Sequence, residues 1–160
     1  MIKIFLILFI SLNIFAYDEQ REIDLMHGIK ITGKEYKKYY KQVEKWSKNH
    51  NLAVPRFILI RTTPMRVQGY YSAGIIEVRF SDKQSDDDIL ATLSHEFGHY
   101  YFDKKNKKFN LREEEIQADL LSAKLIGKDK VIDSLKKRKM YHSNGIHPSI
   151  KQRIKLLKEN

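Results

Sequence analysis

The sequence predicts an α+β domain: a small antiparallel or mixed sheet followed by a set of helices. Three observations point there. Segments rich in β-branched and aromatic residues fall within residues 55–80. After residue 85 the apolar positions repeat at helical spacing. The 160 residues, 42% hydrophobic and 31% charged, suit one globular domain and are too few for two comfortable ones.

Residues 1–16 stand apart. Met1-Ile2-Lys3 is a short basic start, Ile4 to Phe15 is almost unbroken apolar sequence, and Ala16 precedes the polar Tyr17-Asp18-Glu19-Gln20. This is the pattern of a secretory signal peptide cut after Ala16, leaving residues 17–160 as a single exported domain, periplasmic or secreted. The run falls short of the ~20 residues a spanning helix needs, and an uncleaved N-terminal tether is the alternative.

Residues 17–33 read as a polar lead-in with Gly28 and Gly33 as breakers. Lys34 to His50 reads as a helix whose Tyr36, Tyr39, Tyr40, Val43 and Trp46 make a core-facing stripe. Pro55 opens a buried strand over Arg56–Arg61, and a second strand is expected from Val67 to Tyr71, with a turn at Ser72-Ala73-Gly74. Ile75–Phe80 alternates Ile76, Val78 and Phe80 with Glu77 and Arg79, as a strand near an edge would. Ser85 followed by Asp88 is a capping signal, and three acidic residues suit the first turn of the helix that follows. Ile89, Leu90, Leu93, Phe97 and Tyr101 carry its apolar period. Glu113 to Ile126 is the next helix, ended by Gly127. Val131 to Lys139 is a short basic helix, Asn144-Gly145 turns the chain, and Pro148 starts a last amphipathic helix through Ile150, Ile154 and Leu157.

The formal charge is +10, concentrated after residue 103 in the blocks Lys104–Lys108 and Lys136–Lys139. Such blocks can contact an anionic membrane surface or nucleic acid. Their shortness favours a solvated basic face and no specific nucleic-acid site. The chain has no cysteine, which excludes disulfides, thiolate metal sites and a lipid-anchored cysteine. Any metal must be held by histidine and carboxylate.

The chemistry concentrates in His95-Glu96-Phe97-Gly98-His99, an H-E-x-x-H on the expected helix. Residues four apart share a helix face, so His95 and His99 can direct two imidazoles at one ion, with Glu96 beside them to take a proton from water. A catalytic zinc usually takes a third protein ligand. In the next helix Glu115 is the favoured candidate, because Asp119 follows on the same face and can hydrogen-bond the outer nitrogen of a ligating histidine. Glu113 and Glu114 point away by helical phase and read as solvent charges. On the alternative reading all three glutamates decorate a wet helix start. His27, His50 and His142 lack partners at ligand spacing.

Glu115-Ile116-Gln117-Ala118-Asp119, an E-x-x-A-D downstream of the H-E-x-x-H, resembles the second motif of gluzincin metallopeptidases, closest to the HtpX and CAAX-prenyl-protease group. His147-Pro148 through Arg153-Ile154 is similar to that group's H-P-x-x-x-x-R-I. The resemblance covers roughly residues 55–157. It departs from the larger members in lacking their multiple membrane spans and in the short interval from His99 to Glu115, as in a minimal soluble form.

The resemblance implies a zincin-like fold and a zinc endopeptidase acting on peptide or protein substrates. His95, His99 and Glu115 would be zinc ligands, Glu96 the general base, and Asp119 a residue orienting a ligand. His147 would approach the metal or a developing oxyanion, and Arg153 would brace its loop, although a histidine before proline can also simply cap the last helix. The strand Ile75–Phe80 would border the cleft and accept an extended peptide, or be an ordinary inner strand. A catalytically silent binding module and a basic polyanion-binding protein are the competing functions. Retention of Glu96 argues against the first, the signal peptide against the second.

Overall fold

A computed structural model describes residues 28–62, 68–138 and 148–160. The expected signal peptide at residues 1–16, the expected turn at Asn144-Gly145, and His27, His142 and His147 lie outside them. Among the described residues the chain is α+β, with a four-stranded mixed sheet and five helices.

The strands are β1 (Gly28–Lys30), β2 (Arg56–Thr62), β3 (Gln68–Ser72) and β4 (Ile75–Phe80), in the order β1-β2-β4-β3. β1 pairs antiparallel with β2, β2 parallel with β4, and β4 antiparallel with β3. The β3–β4 hairpin turns at Ala73 (φ 48°) and Gly74 (φ 82°). Positive φ at both central residues matches the right-handed twist of the strands, and glycine adopts it without strain.

Two expectations are corrected. The lead-in contains a strand, β1 (Gly-Ile-Lys), which three residues are too few to reveal by pattern, because tertiary pairing with β2 creates it. Ile75–Phe80 is an inner strand, hydrogen-bonded on both sides; among the described residues β1 and β3 are the outer strands. An alternating pattern cannot tell the two apart, since it reports which face is wet, not whether the ladder has a neighbour.

One face of the sheet packs on α1 (Gly33–Asn49) and α2 (Asp86–Lys104). Phe57 and Leu59 of β2 and Ile76, Val78 and Phe80 of β4 meet Tyr39, Val43 and Trp46 of α1 and Ile89, Leu93, Phe97 and Tyr100 of α2 in one core. Tyr40 is half-exposed and lies over Phe57 rather than in that core. Ser85 caps α2 with a full capping box to Asp88.

The far side of α2 packs on α3 (Leu111–Ile126), and α4 (Lys128–Lys137) and α5 (Ile150–Glu159) close a second cluster around Val131, Ile132, Leu135 and Leu157. Helix α2 is therefore covered on opposite sides, which explains why both its apolar and its polar residues are buried. Asn110 and Glu113 cap α3 reciprocally, so Glu113 is spent on the helix start. No helix among the described residues is long and apolar enough to cross a membrane.

Candidate metal centre

The two middle residues of the H-E-x-x-H position the others. Phe97 is fully buried in the main core, which fixes the rotation of α2. Gly98 faces α3 so closely that a Cβ there would lie 2.8 Å from Ala118 Cα. One turn away, Ser94 Oγ and Ser122 Oγ are 2.6 Å apart. Small residues spaced four apart on both helices thus let the backbones approach. The approach at Ala118 carries its neighbours Glu114, Glu115 and Asp119 to the histidines.

The outcome is a tight group. His95 Nε2 and His99 Nε2 are 3.3 Å apart. Glu115 spans them, with Oε2 at 3.4 Å from His95 Nε2 and Oε1 at 3.4 Å from His99 Nε2. Two donors of a tetrahedral ion at about 2.0–2.1 Å stand roughly 3.4 Å apart, the spacing of each of these pairs. His95 and Glu115 are buried, and the His99 side chain is 12% exposed. His95, His99 and Glu115 form a buried group that could hold a metal ion.

Each imidazole is held by its other nitrogen. His95 Nδ1 is 3.0 Å from Asp119 Oδ1, and His99 Nδ1 is 2.9 Å from Glu114 Oε1. These contacts leave both Nε2 atoms facing the centre. Glu114 therefore does not point to solvent as its helical phase suggested. It lies one turn before Ala118, in the row that touches α2, and its side chain is long enough to reach His99.

Arg153 donates to both oxygens of Asp119, from Nε at 2.6 Å and from Nη2 at 2.5 Å. Among the described residues it therefore holds Asp119; the loop at His147 that it is expected to brace lies outside them. His50 lies apart from the centre, edge-on to Tyr101.

Burial opposes the charged form of His95, but the Asp119 and Glu115 carboxylates outweigh it and bring its pKa up to about 9. Burial likewise opposes Asp119 ionisation, and Arg153 overcomes it, holding the carboxyl at about 2. Burial raises the pKa of Glu96. At neutral pH His95 thus keeps its proton, and a metal bound at its Nε2 would have to displace it. Its folded pKa exceeds the ordinary 6.5, so the stabilisation is complete below about pH 6.5 and lost as pH rises through about 9. Metal-free protein is expected to lose on the order of 3 kcal/mol over that window in denaturant titrations. Metal affinity should rise across the same window, about tenfold per pH unit for each proton displaced. Flat profiles in both would remove His95 from the group.

Glu96 lies in the same cleft, of about 520 Å³, with His95, His99, Glu115, Arg138, Pro148 and outer strand β3 around it. Gly69 of β3 sits directly against it: a Cβ there would fall 2.3 Å from Glu96 Oε1. No local sequence signal marks this glycine, because only the sheet order brings β3 over α2. Arg138 was hidden in a different way, inside a block of surface-like lysines.

No protein-family model matches this chain, and no curated protein sequence matches it.

Proposed function

We propose that the chain is a zinc-dependent endopeptidase of zincin-like fold, exported and acting on peptide or protein substrates. The observation that carries this reading is a two-histidine, one-carboxylate group with a buried glutamate beside it that is not one of the three donors. That donor set and an adjacent base suit a hydrolytic zinc site better than iron or manganese. His95 and His99 would hold the ion through Nε2, and Glu115 through its carboxylate. Zinc bound there supplies Lewis acidity that lowers the pKa of water toward ~7.

The chain's own residues do the rest. Glu96 accepts a proton from the attacking water on its carboxylate and delivers it to the leaving amine. Its burial, which raises its proton affinity, suits it to both transfers. Asp119, clamped by Arg153, and Glu114 keep the two imidazoles in register. Strand β3, outermost on its side of the sheet among the described residues, would offer main-chain hydrogen bonds to an extended peptide.

Gly69 leaves space for the Glu96 carboxyl, so Gly69→Ala is expected to lower kcat by about 100-fold through misplacement of the base. Metal content should be unchanged; normal kcat in the variant would remove Gly69 from the account.

The reading is tested by incubating the zinc-loaded chain with an unfolded protein substrate and reading new termini by mass spectrometry. Internal cleavage that a chelator abolishes and zinc restores is the expected result. A folded, zinc-loaded chain that generates no new termini would contradict it.

A further inference from the structure

The end of α4 runs along α2 beside the base. Lys137 Nζ reaches Asp88 Oδ1 at 3.0 Å, and Arg138 Nη2 donates to Thr92 Oγ1 at 2.6 Å. Asp88, Thr92 and Glu96 are spaced four apart and form a row on one helix face. Arg138 is therefore anchored one turn from Glu96, and it lines the same cleft.

Its neighbours have carboxylates of their own: Lys137 has Asp88, and Arg153 has Asp119. Arg138 has the neutral Thr92 hydroxyl as its hydrogen-bond partner among the described residues. Through space Arg153 repels it, while Asp119, Glu96 and Asp88 attract it. A guanidinium carries five donors and stays charged. Arg138 is part-buried, and drawing a guanidinium out of water is costly unless an anion pairs with it. Outside the described residues, Asp18, Glu19, Glu22 and Asp24 are the remaining carboxylates of the chain.

We infer that Arg138 is a binding site for a substrate carboxylate, which makes the cleft selective for anionic peptides. A planar, singly charged carboxylate matches the guanidinium fork. A doubly charged phosphate would meet Glu96, Glu114 and Glu115 in the same cleft. The carboxylate comes from an acidic side chain or from a free C-terminus. Calling the ligand a substrate rests on the peptidase reading; the anion site itself does not.

Binding tests this without hydrolysis. Fluorescent random-sequence peptide pools are titrated into zinc-loaded full-length Glu96→Gln protein and followed by anisotropy. One pair of pools differs only in a C-terminal carboxylate or amide, the other only in Asp and Glu or Asn and Gln. The acid form of one pair should bind about 10- to 100-fold more tightly, and the responding pair identifies the source. Adding Arg138→Gln should collapse the difference, and Arg138→Lys should retain part of it.

Equal affinity for acid and amide in both pairs, with Arg138 intact, would overturn the inference and leave Arg138's anion to Asp18, Glu19, Glu22 or Asp24. This comparison decides the matter even if Arg138→Gln fails to fold. Tight acid-selective binding alongside no cleavage by the wild-type chain would sink the peptidase reading alone.

Discussion

Glu96→Gln is expected to retain zinc and to lose about 10²- to 10⁴-fold in kcat, the range that positioned acid–base groups contribute. The amide has the same shape, so it fits against Gly69, where space is shortest. It leaves the His95, His99 and Glu115 donors untouched, and zinc affinity should change little. What it removes is a carboxylate that can accept and return a proton. Stability should hold or rise, because a neutral amide is cheaper to bury than a charge. Zinc titration, thermal unfolding and single-turnover cleavage of one peptide separate these effects. Loss of zinc from a folded variant would mean that Glu96 is a ligand, and unaltered kcat would mean that the base is elsewhere.

Asp119→Ala should be the most destabilising single change in the centre. It leaves Arg153 buried without its carboxylate and His95 Nδ1 without its acceptor. Breaking a buried pair in this way costs about 3–5 kcal/mol. Freeing the His95 ring should weaken zinc binding by about 10- to 100-fold. Asp119→Asn keeps the shape and one acceptor oxygen, so it should lose less of both. Chemical denaturation of the metal-free variants and zinc competition titrations provide the two numbers. Wild-type stability in Asp119→Ala would show that the Arg153–Asp119 pair carries no net weight in the fold.

Parts of this arrangement are local, and those were legible in the sequence. Ser85 and Asp88 cap α2, the spacing of His95 and His99 sets them on one face, and Glu115 with Asp119 repeats that spacing on α3. Periodicity and capping act within a few residues, so a linear reading captures them.

The missing parts depend on which segments become neighbours. β1 is a strand because β2 offers it a ladder, and β3 is an outer strand because the chain places it beyond β4. Gly69 meets Glu96 as a result of that order. Glu114 reaches His99 because Gly98 and Ala118 let two backbones close up, and helical phase alone ignores the length of a glutamate side chain. Arg138 looks like surface charge beside three lysines, yet the packing of α4 on α2 turns it inward. Gly98 and Ala118 are small residues inside motifs, which is the signal that could have located the helix contact in advance.

The central claim is that His95, His99 and Glu115 hold one zinc ion, and metal content tests it most directly. The purified chain, stripped by chelator and reloaded, should contain about one zinc per chain by elemental analysis. Glu115→Ala, folded by circular dichroism, should lose it on dialysis. A folded wild-type chain that takes up no zinc on reloading, or a Glu115→Ala variant that keeps it as tightly, would contradict the account.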